Sequence, residues 1–280
     1  MFISIGPSPS THTELFTARH DGHVKLWERQ PQGSWTTAAD VDCMGGKCIY
    51  SMKCLDHRRV IVGGLGPITV CHLSTSTSSP TLIRFQSPTS LSSCLGLTLN
   101  RTLDVCYTCW RDGTILVYDI NTAQAVRQFK GHEGWAYCVD VASQGNYFWT
   151  GGWDDETVAC WDARDPALVG RHTFDSGVFS LSCSPGGDLV AVGLGSLFSG
   201  DIQLIDQRTQ TIMPSFGGKH KRAVLSLKFA DSGNFLVSTS YDRSVRGWKF
   251  PAGTPIFQTK EEAWVFSCDH VLIFFKNATN

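Results

Sequence analysis

The sequence predicts an all-β fold, a β-propeller built from repeated four-stranded blades, and three observations support this. Residues 154–162, DDETVACWD, read as a polar turn followed by a strand that closes on Trp-Asp. Similar strand endings recur along most of the 280 residues at nearly constant intervals. Short alternating apolar runs rich in Gly, Ser and Thr are frequent, whereas helical periodicity and helix caps are nearly absent.

The interval between strand endings identifies the repeat. The endings lie at Trp27, Cys71, Tyr118, Trp161, Ile205 and Trp248, so the intervals are 44, 47, 43, 44 and 43 residues. A period of roughly 40 to 45 residues with a Trp-Asp ending is typical of WD40 propeller blades. The next ending is expected near residue 292, that is 248 plus about 44, but the sequence stops at 280. We therefore predict a WD40 β-propeller of the seven-bladed type, with six fairly complete blades and a truncated seventh.

We expect residues 1–280 to form one propeller domain. The predicted blades span residues 1–42, 43–87, 88–130, 131–174, 175–215 and 216–259, with a partial blade over 260–280. Within the fourth blade, the pattern predicts strands near 136–142, 146–152, 157–162 and 168–173. Each blade is expected to bury its faces against its neighbours, so no blade is expected to be stable alone.

A second periodicity predicts a structural network of polar side chains. Asp residues stand six positions before four of the six strand endings, at Asp21, Asp112, Asp155 and Asp242. A carboxylate there can accept backbone N–H bonds and hold the turn. In the fourth blade, we expect a buried His132 to link Asp155 to Thr150 and to the indole N–H of Trp161. Because the Asp recurs from blade to blade and no nucleophile accompanies it, a catalytic Asp–His pair is disfavoured.

The composition of the sequence excludes several classes of function. The formal net charge is −1, which gives no basic footprint for direct binding of nucleic acid. No apolar run reaches the roughly 18 residues of a membrane helix, so no membrane partner is expected. The odd count of 11 cysteines and the lack of a secretory signal predict reduced thiols. Cys106 and Cys109 have Cys-x-x-Cys spacing but lie on a predicted strand, so we expect no metal and no cofactor. No constellation predicts an enzyme.

Longer phrases of the sequence resemble a known family. VRQFKGH, WTGGWDDETVACWD, FSLSCSPGGDLVAVG, VLSLKFADSGNFLVST and IFQTKEEAWVFSCD resemble the C-terminal propeller of the Groucho/transducin-like enhancer (TLE) proteins. Order and spacing agree from about Phe2 to Asp269. The resemblance implies a transcriptional corepressor of the nucleus that does not bind DNA. It also implies an N-terminal oligomerisation region, which is absent from this chain.

The resemblance further implies a peptide site at one mouth of the central channel. Its ligands are short motifs of transcription factors, either a terminal Trp-Arg-Pro-Trp or a Phe-containing amphipathic segment. Loops that enter inner strands carry such residues on a rigid scaffold. The candidate peptide-binding residues are Leu225, Phe266, Tyr50, Cys48, Phe179 and Trp135. Leu225 and Phe266 match family leucines that contact the peptide, whereas Phe179 can instead fill the blade core.

Blade two departs from the family pattern. The family has a Tyr and an Arg that contact the peptide where this sequence has Cys48 and Tyr50. A nearby family Glu aligns at or beside Leu65. Loss of a guanidinium and of a carboxylate predicts an altered pocket. The alternative hypothesis is therefore a divergent family member that acts as a scaffold in a cytoplasmic protein complex.

Overall fold

The computed structural model describes residues 2–4, 14–73, 80–86, 92–165, 167–213, 220–250 and 252–260. These residues form six antiparallel sheets of four strands each. The first three blades consist of β1 Phe2–Ser4, β2 Glu14–Ala18, β3 His23–Arg29, β4 Trp35–Asp42; β5 Ile49–Cys54, β6 Arg59–Gly64, β7 Gly66–His72, β8 Thr81–Arg84; β9 Cys94–Leu99, β10 Val105–Trp110, β11 Thr114–Asp119 and β12 Gln124–Lys130.

The next three blades follow the same order along the chain. They consist of β13 Ala136–Val141, β14 Tyr147–Gly152, β15 Thr157–Asp162, β16 Leu168–Thr173; β17 Val178–Cys183, β18 Leu189–Gly195, β19 Gly200–Asp206, β20 Thr211–Met213; β21 Val224–Phe229, β22 Phe235–Ser240, β23 Ser244–Lys249 and β24 Thr254–Lys260. Each sheet runs in chain order from an inner to an outer strand.

The all-β propeller is confirmed, and the described residues form six blades rather than seven. No helix occurs in the part of the chain that the structure describes. Of the predicted partial blade over residues 260–280, the structure describes only Lys260, which ends β24. Within the described residues, each blade packs extensively against the next one along the chain, from the first to the sixth. Among the same residues, blade six and blade one share no packing of similar extent.

The core is divided into five clusters of buried side chains, each lying between two neighbouring blades. Between blades four and five, for example, Trp149 and Val158 pack with Val178 and Val192. Because successive strand residues point to opposite faces, each blade contributes to the cluster on either side. Cys106 and Cys109 follow this rule and enter different clusters, one on each face of β10.

Hydrogen bonds join neighbouring inner strands and fix the wall of the central channel. The Leu97 N–H donates to Ser51 at 3.2 Å, which links blades two and three. Asp140 of blade four accepts the Thr98 hydroxyl at 3.3 Å and the Cys183 N–H at 2.8 Å, so it bridges blades three and five. These bonds set the spacing of the inner strands and hence the positions of their side chains.

One end of the molecule collects the loops that matter for binding. Because the strands of each blade alternate in direction, the loop entering an inner strand lies at the same end as the hairpin between the second and third strands. We call this the upper end. The hairpin after β10 needs glycine, since Gly113 has φ of +79° and a Cβ there would lie 2.2 Å from the His132 carbonyl oxygen.

All four repeated Asp residues hold these upper hairpins. Asp21, Asp112, Asp155 and Asp242 each accept the backbone N–H two residues onward, at distances of 2.9 to 3.3 Å. Each is therefore an Asx-type turn that stabilises the hairpin. Asp21 also pairs with Arg19 at 2.5 Å on the surface.

In blade four, a buried network connects the hairpin to the sheet. His132 Nδ1 lies 2.9 Å from an Asp155 oxygen, and His132 Nε2 lies 2.8 Å from the Thr150 hydroxyl. The Trp161 indole N–H donates to that hydroxyl at 2.8 Å. Burial raises the pKa of Asp155, but hydrogen bonds with His132 and the Glu133 N–H outweigh it and hold the pKa below 3.8. We infer that this set ties the upper loop to the second and third strands.

Blade six contains a second network that the sequence analysis assigned only in part. His220 lies 3.2 Å from Asp242 and 2.7 Å from the Ser238 hydroxyl. The Trp248 indole N–H donates to the same hydroxyl at 2.9 Å. Serine therefore takes the place of threonine. In blade one, Trp27 donates to Thr17 at 2.9 Å, so the Trp–hydroxyl bond occurs there too.

Two cysteines from different blades lie close together. Cys43 and Cys71 have Cα atoms 6.3 Å apart, a separation that a disulfide can span. The pair connects the residue after β4 to the third strand of blade two. Burial raises the pKa of several other cysteine thiols in the described ranges, that of Cys160 to about 12.

Thr150→Val tests the network of blade four. The substitution keeps the shape of the side chain but leaves His132 Nε2 and the Trp161 indole N–H without their buried partner. We expect the free energy of unfolding to fall by about 1–3 kcal/mol for each group left unsatisfied. Urea unfolding followed by tryptophan fluorescence measures it. Thr173→Val, the same change on the exposed strand β16, is the control, and an equal small effect of both variants would contradict the network.

The His220 site predicts acid sensitivity. Burial lowers the pKa of His220 below 6.5, with a further lowering from Arg246 and an opposing effect of Asp242. His220 therefore binds a proton more readily in the unfolded chain than in the folded protein. The stabilisation of the fold by neutral, buried His220 is complete above pH 6.5 and is lost as the pH falls through the lowered pKa. Between about pH 7.5 and about pH 5, the unfolding free energy of wild type should fall more than that of His220→Gln. His57→Gln, at an exposed site, should behave like wild type, and equal pH slopes in all three proteins would refute the assignment.

Candidate functional site

The inner strands of blades two to six share one irregularity at the upper end. In each pairing with the second strand, the register shifts across one residue, so that residue is a β-bulge. The bulged residues are Tyr50, Leu95, Tyr137, Phe179 and Leu225. A bulge re-aims the side chain and is common next to functional sites. The five positions therefore form a ring of apolar and aromatic residues at the upper mouth of the channel, which we call the bulge ring.

Members of the bulge ring lie close to one another. The rings of Tyr137 and Phe179 meet edge to face at 5.4 Å. Burial raises the pKa of Tyr137, and the nearby Tyr241, Cys138 and Tyr50 raise it further. Its phenol is therefore neutral and can donate a hydrogen bond. Leu225 is 8% exposed, whereas Val178, one residue before Phe179, is fully buried in the core.

The charge of a guanidinium from another blade acts on Tyr50. Burial raises the pKa of Tyr50, as does the neighbouring Cys48, with which Tyr50 shares a hydrogen bond; the charge of Arg111 acts in the opposite direction. Arg111 belongs to the hairpin after β10 and stacks 4.4 Å from the Trp135 ring centroid. Blade three thus supplies a cation at the mouth, although blade two carries no arginine at Cys48 or Tyr50.

The loop that carries Trp135 is fixed by two carboxylates. The Trp135 N–H donates to Asp154 at 3.0 Å, and the Glu133 N–H donates to Asp155 at 3.1 Å. Gly134 has φ of +108°, and a Cβ there would lie 2.2 Å from the Asp154 carboxylate, so glycine is required. The Asp pair therefore positions Trp135 at the rim of the mouth.

Leu65 marks the rim of blade two. It is exposed in the hairpin between β6 and β7, and its N–H donates to the Cys48 carbonyl at 2.9 Å. This bond links Leu65 to Cys48, the first of the blade-two positions named above. The rim of blade two is therefore apolar at Leu65, in agreement with the loss of a carboxylate noted in the sequence. Phe266, the remaining candidate, lies outside the described residues.

Sequence reasoning missed two residues at the mouth. Leu95 occupies the bulge of blade three, and its spacing of 45 residues from Tyr50 and 42 from Tyr137 was a usable signal. Arg111 had no such signal, because its approach to Tyr50 and Trp135 crosses from one blade to another.

The groups at the channel mouth are suited to binding the side chains of a ligand. It offers apolar and aromatic surfaces, neutral phenols and one guanidinium. In the described part of the chain, no group of three or more His, Cys, Asp or Glu side chains is arranged to hold a metal ion. The described residues also include no helix that meets the length and hydropathy of a membrane span.

Comparison with known proteins places these features in a family. The family described as "WD domain, G-beta repeat" matches residues 123–162 and 212–249. Transducin-like enhancer protein 2 of Mus musculus is 36% identical over 263 residues, covering 93% of this chain and 33% of that protein. Protein groucho of Drosophila melanogaster is 34% identical over 256 residues, covering 89% of this chain and 33% of that protein.

The chain spans about a third of the length of these curated relatives. Taken together, the repeat, the observed blades and these similarities show that the chain is a Groucho/TLE-like WD40-repeat protein.

Proposed function

We propose that the chain is a peptide-binding module that captures short motifs of DNA-bound repressors at the upper mouth of its channel. The observation that carries this proposal is the bulge ring. Each inner strand of blades two to six has a β-bulge at the same level, and the bulged residue is a bulky apolar or aromatic one. Five convergent side chains of this kind suit one aromatic anchor of a peptide.

The energetics favour an anchor with one large apolar side chain. Burying a side chain the size of Leu or Phe contributes about 1.5–3 kcal/mol, and central aromatic anchors dominate most interfaces. The phenols of Tyr50 and Tyr137 and the guanidinium of Arg111 then serve backbone carbonyls of the peptide. The mouth therefore combines an apolar seat with a few orienting donors, as peptide and ligand sites generally do.

The cellular role follows from the similarity to the Groucho/TLE proteins. We infer that the chain takes part in transcriptional corepression in the nucleus and reaches DNA only through its partners. The propeller and its relatives indicate a non-enzymatic interaction domain. A scaffold role in a cytoplasmic complex is the second candidate, favoured by the uncharged rim of blade two at Cys48, Tyr50 and Leu65.

Binding of a labelled peptide separates the two candidates. Fluorescence polarisation of the folded chain with a peptide ending in Trp-Arg-Pro-Trp should give micromolar affinity, about −8 kcal/mol. The same peptide with both Trp replaced by Ala should not bind. Failure of the intact motif to bind a folded sample would favour the scaffold role.

Leu225→Ser and Leu95→Ser test the bulge ring itself. Each removes an apolar side chain from the mouth, and we expect peptide affinity to fall by roughly tenfold or more. Leu168→Ser changes an exposed leucine on the outer strand β16 and should leave affinity unchanged. Thermal melts confirm that all three variants are folded. Wild-type affinity in both ring variants would show that the peptide does not use this mouth.

A further inference from the structure

The aromatic surface of the mouth continues outward over blades four and five. The rings of Trp135 and Trp153 lie 5.1 Å apart, and that of Trp153 lies 6.4 Å from Phe179. We call these three residues the aromatic shelf. Phe179 belongs to both the bulge ring and the shelf, so the two surfaces are continuous.

Trp153 is held in place although its side chain faces solvent. It is 39% exposed in the hairpin between β14 and β15. Its ring packs on Gly177, where an added Cβ would lie 2.5 Å from the indole. The Gly177 carbonyl in turn accepts the Gly195 N–H at 3.1 Å. The shelf thus rests on the loop that enters blade five and is connected to the end of β18.

The next loop presents two more apolar side chains beside Gly195. Leu197 and Phe198 are 73% and 89% exposed. The loop is nevertheless ordered by its own bonds, since the Ser196 N–H donates to the Ser199 carbonyl at 2.8 Å and the Phe198 N–H donates to the Ser196 hydroxyl at 3.2 Å. A loop that holds two large apolar side chains in water is typical of an interaction surface.

The exposed positions are not scattered at random. Most other exposed large apolar residues, such as Trp35 and Val126, lie on outer strands around the circumference. Scattered exposed apolar residues of that kind are ordinary on a protein surface. At the upper end, in contrast, Trp153, Leu197 and Phe198 lie on neighbouring hairpins next to the channel mouth.

The charges around the shelf select its ligand. The upper loops of blades four and five, residues 131–135, 153–156, 174–177 and 196–199, contain Glu133, Asp154, Asp155, Glu156 and Asp175 and no lysine or arginine, whereas the blade-six segment bonded to the Leu197–Phe198 loop carries the exposed Lys221 and Arg222. Asp155 is paired with His132, but Glu133, Asp154 and Asp175 are exposed. Arg111 already stacks on Trp135, and Arg171 donates to the Gly131 carbonyl. Acidic groups beside an exposed indole favour a cation over its face.

We propose that the aromatic shelf and the Leu197–Phe198 loop bind the peptide segment just N-terminal to the anchor motif, and that this segment carries arginine or lysine together with apolar side chains. The inference rests on the proposed function, because it places the anchor in the bulge ring and its flanking segment on the shelf. The cations lie against Trp153 and the carboxylates of Glu133 and Asp154, and the apolar side chains contact Leu197 and Phe198.

The test compares three labelled peptides by fluorescence polarisation with the full chain. The core peptide ends in Trp-Arg-Pro-Trp, the basic peptide adds a short N-terminal extension in which Arg alternates with Leu, and the acidic peptide has Glu in place of that Arg. Wild type should bind the basic peptide roughly tenfold tighter than the core peptide, and added salt should reduce the gain. The acidic peptide should show no gain.

Variants of the chain show which residues cause the gain in affinity for the basic peptide. Trp153→Ala and Glu133→Gln should each lose it while retaining core affinity. Trp35→Ala, which removes an equally exposed indole from outer strand β4, should keep it.

An equal affinity of wild type for all three peptides, or a gain that persists in Trp153→Ala, would overturn the inference and leave the proposed function standing. If the core peptide fails but the basic peptide binds through Trp153, the shelf is supported and the channel-mouth proposal is contradicted. Binding of neither peptide overturns both.

Discussion

The burial of each blade face against the next is the constraint on which the rest of the structure depends. A single four-stranded sheet has two apolar faces, and the five clusters between blades are where those faces leave water. Once blades pack in this way, their inner strands must converge on one axis. The bonds through Ser51 and Asp140 then fix the spacing between inner strands. Convergence of the bulge ring is a consequence of this packing, because no bulged residue needs to bond with another to reach the mouth.

The polar networks solve a different problem, which is how to anchor the upper loops to buried sheets. In blades four and six, a buried His connects an Asp of the hairpin to a hydroxyl and an indole of the sheet. The same Asp that accepts a hairpin N–H also accepts the N–H of the residue after His. The loop entering the inner strand therefore cannot move independently of the hairpin. In blade four, this coupling holds Trp135 and Trp153 on one rigid support, so a ligand meets a surface that is already formed.

The sequence predicted much more of the fold than of the candidate site. A period of 43 to 47 residues located the strands of blade four within about one residue of their observed limits, because strand endings and turns are local patterns. The His220 and Ser238 pair was open to the same reasoning, since each takes the place of His132 or Thr150 at a comparable spacing. Other features lie beyond any local pattern. A bulge at Leu95 depends on how two strands pair, and the approach of Arg111 to Trp135 depends on the angle between two blades. The approach of Cys43 to Cys71 likewise depends on how two blades pack.

Photo-crosslinking shows whether a peptide anchor enters the bulge ring. The peptide would carry a photoreactive phenylalanine analogue in place of its last Trp, and the crosslinked residues would be mapped by mass spectrometry. The account predicts crosslinks to Tyr50, Leu95, Tyr137, Phe179 or Leu225, and their loss when unlabelled peptide competes. Crosslinks confined to outer strands such as β4 or β16, or equal labelling with and without competitor, would contradict it.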